Sequence, residues 1–129
     1  MTNPKDLKYT ETDEWIKVTD NLATVGITDY AQEQLSDIVY LEYNLDVDDT
    51  FKKNEAIATI ESVKAAAEIH SPVSGKVVEV NEDLLNTPEE INDDPYGKWM
   101  FKIEIEDASE IDDLLDADSY SELCESRGH

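Results

Sequence analysis

Residues 56–80 read AIATIESVKAAAEIHSPVSGKVVEV, and by pattern alone this stretch admits two structures. Ile57, Ile60, Val63 or Lys64, and Ala67 recur at helical spacing, and the run Ala65-Ala66-Ala67 favours a helix by propensity. Against a helix stand Pro72 and Gly75, which punctuate the segment, and residues 75–80, which alternate as a half-buried strand does. Helix and hairpin remain equal readings at this point.

Outward from that stretch, the chain reads as short strands broken by turns, with helices toward its end. Residues 15–18 and 22–27 are rich in β-branched and aromatic side chains and flank Thr19-Asp20-Asn21, which predicts a hairpin with a tight turn. Thr28 is placed to cap a short helix carrying Tyr30, Ala31 and Leu35 near one face; Ser36-Asp37 ends it, and residues 38–43 read as a strand. Thr87-Pro88-Glu89-Glu90 combines a capping residue, a proline at the first helical position and a glutamate three after the cap, predicting a short helical turn. Asp94-Pro95-Tyr96-Gly97 reads as a turn. Trp99, Phe101, Ile103 and Ile105 alternate with Met100, Lys102 and Glu104, the pattern of a half-buried strand. Ser109-Glu110-Ile111-Asp112 and Ser119-Tyr120-Ser121-Glu122 each resemble a capping box, predicting two closing helices. No linker rich in Gly, Pro or Ser divides the chain, so residues 1–129 are expected to form one domain.

Composition removes several classes of function. The chain has 32 acidic against 10 basic residues, a formal charge of −22, which repels phosphate backbones and anionic lipid surfaces. No nucleic-acid or membrane partner is expected; basic patches on other proteins suit this surface better. No stretch approaches the roughly 20 apolar residues of a membrane span, and residues 1–8 lack signal-peptide or transit-peptide character, so a cytoplasmic protein is expected. Cys124 is the only cysteine, 54 positions from His70 and five from His129, which rules out an internal disulfide and gives poor support to a zinc site or a Cys-His nucleophile. No phosphate-binding loop, nucleophile elbow or His pair at ligand spacing is present, and no metal is expected. Carboxylate pairs are too common in so acidic a chain for any one of them to single out an acid–base couple.

Lys64 stands apart from the other lysines. Small apolar residues, Val63 and Ala65 to Ala67, surround it in an otherwise charged protein; Glu61 precedes it by three positions, and Pro72 and Gly75 follow. This arrangement resembles the attachment segment of lipoyl and biotinyl domains, and ESVKAAAEIHSPVSGKVVEVN resembles in particular the H-protein family of the glycine cleavage system. The likeness extends to DEWIKV at 13–18, ATVGITDYAQEQLSDIVYLE at 23–42, INDDPYGKWMFKI at 91–103 and the acidic C-terminal region. Biotin domains carry methionines beside the lysine where Val63 and Ala65 stand here, which favours lipoate over biotin.

The resemblance implies a mainly β fold, a flattened barrel-like sandwich with short helices including C-terminal ones, in which Lys64 occupies a hairpin turn. It implies lipoate in amide linkage on Lys64 and a monomeric carrier without turnover of its own. Its implied partners are the pyridoxal-phosphate glycine decarboxylase, the aminomethyltransferase, dihydrolipoyl dehydrogenase and a lipoylating enzyme. The arm would take the aminomethyl group of glycine from the first to the second and electrons to the third. An H-like lipoate-binding protein in lipoyl relay or sulfur-compound oxidation is the alternative, with a biotin carrier module behind it.

Glu61 and Gly75 match family positions implicated in recognition by the lipoylating ligase. For Gly75, a turn glycine with φ above zero is the stronger expectation. Glu14 and Glu68 match positions near a parked arm, with Thr12 beside them, and a carboxylate there could hold a cationic amine by a charge-assisted hydrogen bond. Trp15 is expected to pack in the core rather than touch the arm. Three departures from the family pattern, Asp13 for a frequent histidine and Ser36 and Asn54 for common glycines, fall at turn or surface positions.

Overall fold

The structure, a computed structural model, describes residues 3–127. In chain order its elements are β1 (Lys8–Tyr9), β2 (Glu14–Thr19), β3 (Leu22–Ile27), α1 (Asp29–Leu35), β4 (Ile38–Tyr43), β5 (Thr50–Phe51), β6 (Ala56–Ser62), β7 (Ala66–His70) and β8 (Gly75–Val80). Then come α2 (Glu82–Asn86), α3 (Glu90–Asp93), β9 (Phe101–Ile105), a 3-10 turn over Ala108–Asp113, and α4 (Ala117–Arg127).

The ambiguous stretch therefore resolves as three strands. Alanine propensity yields because β6 pairs with both β4 and β7, and its Ile57, Ala58 and Ile60 are fully buried. A helix over the same residues would forfeit both ladders, and tertiary pairing of this kind overrides intrinsic preference.

All strand pairings are antiparallel. One sheet runs β1-β2-β3-β9-β8-β5 and the other β4-β6-β7. The two sheets enclose a core that includes Ile16, Val25, Ile60, Ile69, Val77 and Phe101. A second cluster, built on Tyr9, Trp15, Tyr30, Tyr120 and Cys124, fastens α4 against the start of the larger sheet. This is the β-sandwich that the sequence implies.

The hairpin at 14–27 forms as expected, its turn carried by Asp20 at φ 57°. Thr28 caps α1, its hydroxyl accepting from the Ala31 N–H at 3.1 Å. Three details differ from expectation. The first closing segment is a 3-10 turn, so one α-helix rather than two ends the described chain. Its cap is Asp107, whose Oδ1 accepts from the Ser109 N–H at 3.0 Å; likewise Asp116 Oδ1 accepts from the Ser119 N–H at 2.8 Å. An aspartate before each serine thus takes the capping role assigned to the serine itself. Third, the Thr87 hydroxyl donates to Glu90 Oε1 at 3.0 Å instead of capping an amide, and the helix starts only at Glu90. The short helix α2, with Leu84 buried, carries too little periodicity to stand out in sequence.

Candidate functional site

Lys64 occupies the turn between β6 and β7, and Ser62 shapes that turn. The Ser62 N–H donates to the Ala65 carbonyl at 2.8 Å, while the Ser62 hydroxyl oxygen accepts from the Lys64 and Ala65 amides at 3.2 and 3.0 Å. The Val63 N–H donates to the Asp37 carbonyl at 3.0 Å and ties the tip to the start of β4. Backbone bonds thus fix the turn while the Lys64 side chain is exposed. Among the described residues, no carboxylate lies within ion-pair distance of its ammonium. Small neighbours leave the amine open to approach from outside, a fitting place for a covalent attachment.

From this tip β7 runs toward a buried carboxylate. Glu61 and Glu68 are exposed beside the lysine turn, opposite Ala66 and Thr59 respectively. At the far end of β7, the His70 N–H donates to Glu14 Oε2 at 3.1 Å. Glu14 is 0% exposed, and its Oε1 accepts from the hydroxyls of Thr10 at 2.6 Å and Thr12 at 2.5 Å. Burial pushes the Glu14 carboxyl up to about 7; the three hydrogen bonds oppose that rise and neighbouring Asp13 adds to it. Thr12 and Glu14 are thus in direct contact, Glu68 lies two residues from His70 along β7, and Lys64 stands at the opposite end of that strand. A recess of about 280 Å³ borders Thr10 and Thr12 and is walled by Asn54 and Leu114.

Thr10 and His70 belong to this constellation and were not legible in the chain alone. The spacing Thr10-x-Thr12-x-Glu14, hydroxyls four and two before a carboxylate, was the available signal. His70 gave none, because its amide reaches Glu14 across 56 positions. Its Nδ1 atom is buried without a hydrogen-bond partner.

Asp13, directly before Glu14, has φ 76°, and two side chains hold its carboxylate. The Tyr120 hydroxyl donates to Asp13 Oδ1 at 2.8 Å, Arg127 pairs with the same oxygen, and Thr28 Oγ1 lies 2.7 Å from the Tyr120 oxygen. Asn54 takes φ 73°, as its place at a usual glycine implied.

Gly75 requires correction. Its φ is not positive; among the described residues no glycine takes that conformation. It opens β8, buried, where an added Cβ would lie 2.2 Å from the Glu104 carbonyl oxygen and 2.7 Å from Ile103 Cγ2. Close approach of two strands, not turn geometry, demands the glycine. Trp15 packs as expected: it is 2% exposed and its Nε1 donates to the Pro95 carbonyl at 3.0 Å. No cluster of His, Cys, Asp and Glu suited to a metal occurs among the described residues. No described helix is long and apolar enough to cross a membrane. His129, weighed in the sequence together with Cys124, lies outside the described residues.

A β-sandwich that presents an isolated lysine on the turn of a protruding hairpin defines a carrier domain of the lipoyl/biotinyl class. The comparisons specify it further. Residues 7–127 match the glycine cleavage H-protein family, and the chain belongs to that family. It is 55% identical over 118 residues to the glycine cleavage system H protein of Thermotoga maritima, covering 91% of this chain and 94% of that one. Against the corresponding protein of Carboxydothermus hydrogenoformans it is 49% identical over 126 residues, covering 97% and 96%. The crystal structure of a glycine cleavage system H protein from Mycobacterium marinum superposes with a TM-score of 0.85 at 32% identity, covering 98% of this chain and all of that one.

Proposed function

We propose that residues 1–129 act as one lipoyl-bearing domain with a C-terminal helical extension, carrying lipoate in amide linkage on Lys64 in the glycine cleavage system. The observation that carries this reading is the exposed, unpaired Lys64 on a turn fixed by Ser62, between Val63 and Ala65. Bound there, lipoate supplies a dithiolane disulfide that can accept the aminomethyl group of glycine, pass it on and be reoxidised. Glycine decarboxylase, the aminomethyltransferase and dihydrolipoyl dehydrogenase are the partners, and the chain has no turnover of its own.

The remaining residues act by position. Amide formation removes the Lys64 charge, so the arm can lie against the protein without leaving a cation unpaired. An arm laid along β7 would pass Glu68 toward Thr12 and Glu14; there the Glu68 carboxylate and, once uncovered from its present burial, that of Glu14 would accept from an amine beside a recess that limits water. Glu61, exposed three residues before Lys64, is placed to touch the lipoylating enzyme. Gly75 is buried, and any influence on that enzyme passes through the β8–β9 strand pairing that it permits.

The test is intact mass and peptide mapping of protein from its native host, with a lipoyl increment expected on Lys64. Lys64→Arg keeps the charge but substitutes a guanidinium that stays protonated and is a poor nucleophile. It should fold with a stability change within about 0.5 kcal/mol and lose lipoylation completely. Glycine-dependent reduction of the lipoyl form by an active decarboxylase should follow; its absence would move the protein to another lipoyl-dependent pathway.

A further inference from the structure

We propose that Val39, Tyr40 and Val63 form the docking surface for the enzyme that acylates Lys64, a partner whose contacting face is apolar at its centre and basic at its edge. The proposal rests on the reading of Lys64 as the acylated residue and adds where its modifying enzyme holds on.

These three side chains are among the most exposed large apolar groups of the molecule, at 56%, 47% and 69%. Strand pairing brings them together at the lysine. Ile38 pairs with Ser62 and Tyr40 with Glu61, and a bulge between Ile38 and Tyr40 breaks the alternation. Two successive side chains, Val39 and Tyr40, are consequently exposed, whereas regular alternation would turn one of them inward. Val63, whose amide is tied to the Asp37 carbonyl, completes the patch one residue before Lys64. An exposed apolar cluster maintained by a strand irregularity at a modification site calls for a partner.

Charge specifies that partner. Glu42 and Glu61 flank Tyr40, and the Tyr40 hydroxyl donates to Glu42 Oε2 at 3.3 Å. Beyond Tyr40 a recess of about 380 Å³ has apolar walls, Tyr43, Leu45 and Leu85, and acidic groups at Glu42 and Glu82. Such a recess fits the aliphatic stem of an arginine or lysine with its charge at the acidic rim.

Geometry selects the acylating enzyme among the possible visitors. Enzymes that work on the sulfurs meet the far end of a long arm and need not touch the residues around Lys64. The acylating enzyme must bring its substrate to Nζ itself. The neutral amine attacks the carbonyl carbon of lipoyl adenylate; a C–N bond forms, the bond from that carbon to the phosphate oxygen breaks, AMP leaves and the surplus proton passes to water. Bonding contact at Nζ forces the enzyme onto the adjoining Val63, Val39 and Tyr40.

The test measures initial rates of lipoylation of the unmodified full chain by a lipoate–protein ligase supplied with lipoate and ATP, followed by intact mass. The Val39→Ser, Val63→Ser double variant should lose about tenfold in kcat/KM, chiefly through KM, equivalent to about 1.4 kcal/mol of binding. Val47→Ser, an exposed valine away from the tip, should match wild type. Double variant driven to full lipoylation by long incubation should be reduced by dihydrolipoyl dehydrogenase at the wild-type rate. Unchanged lipoylation of the double variant, an equal loss in Val47→Ser, or an equal loss in the dehydrogenase reaction would each overturn the proposal. A wild-type chain that gains no lipoyl group on Lys64 would overturn the functional reading beneath it.

Discussion

The His70 amide donates to Glu14 Oε2 at 3.1 Å, joining the foot of the lysine hairpin to the first long strand of the opposite sheet. This bond places a buried carboxylate at the end of the strand that begins beside Lys64. It also explains why Glu14 can be wholly buried: both carboxylate oxygens have donors, from His70 on one side and Thr10 and Thr12 on the other.

Glu14 should make stability depend on pH in a definite direction. Burial raises its carboxyl to about 7, above the ordinary value of 4.5. The folded state then binds the proton more tightly than the unfolded chain, so the contribution is complete below pH 4.5 and is lost as pH rises through about 7. Subtracting the urea-unfolding profile of Glu14→Gln from that of wild type should isolate a loss on the order of 3 kcal/mol across this window. Parallel profiles for the two proteins would show that Glu14 ionises normally.

Gly75→Ala tests whether that position is steric. A Cβ there would lie 2.2 Å from the Glu104 carbonyl oxygen, a backbone atom that can move only with β9. The expected cost is about 2–4 kcal/mol, in the range of overpacking with backbone displacement. Lipoylation should fall only as far as the folded fraction falls. A variant as stable as wild type yet refractory to the ligase would instead make Gly75 a recognition residue.

How much of this could be read from the chain depended on how local the determinants were. The hairpin at 14–27, the Thr28 cap and the alternation of β9 rest on near neighbours and were legible. The 56–80 stretch was not, because its strands are decided by pairing with β4 and by enclosure between sheets. Pattern left it open, and only the likeness to a family chose the hairpin. The lysine was legible because its setting is a contiguous run. The Glu14 site was half legible: Thr12 and Glu14 are close in sequence, whereas His70 arrives through the fold. Gly75 shows the limit, since a glycine needed for φ and one needed for clearance look alike in a sequence.

Ser36 holds a conformation suited to glycine, φ 64° and ψ −148°, at the end of α1. Its N–H donates to the Gln32 carbonyl and its carbonyl accepts from Asn92 Nδ2 at 2.8 Å, so the backbone is held there by both neighbours. A side chain in this region costs about 1–3 kcal/mol, and a glycine forfeits part of the gain through its freer unfolded state. Ser36→Gly should therefore raise stability by about 1 kcal/mol, seen as a higher urea midpoint at unchanged slope. A lower midpoint would mean that the serine conformation is unstrained.

Tyr120→Phe separates the two ways in which α4 is attached. The Tyr120 ring stacks on Tyr9 with centroids 4.8 Å apart and planes 7° from parallel, and phenylalanine preserves that contact. The hydroxyl makes the polar half. Thr28 Oγ1 already accepts from the Ala31 N–H, so its own proton is free for the Tyr120 oxygen, and Tyr120 in turn donates to Asp13. Removing the hydroxyl leaves the half-buried Asp13 carboxylate with only Arg127 and strips a buried threonine of its acceptor, a cost of about 2–3 kcal/mol. Because burial already raises the Asp13 carboxyl and the Tyr120 bond opposes that rise, the variant should raise it further. Carbon-detected NMR titration of Asp13 reads this directly, and denaturant unfolding reads the stability. Wild-type values in both would show that ring packing alone secures the helix beside the Glu14 site.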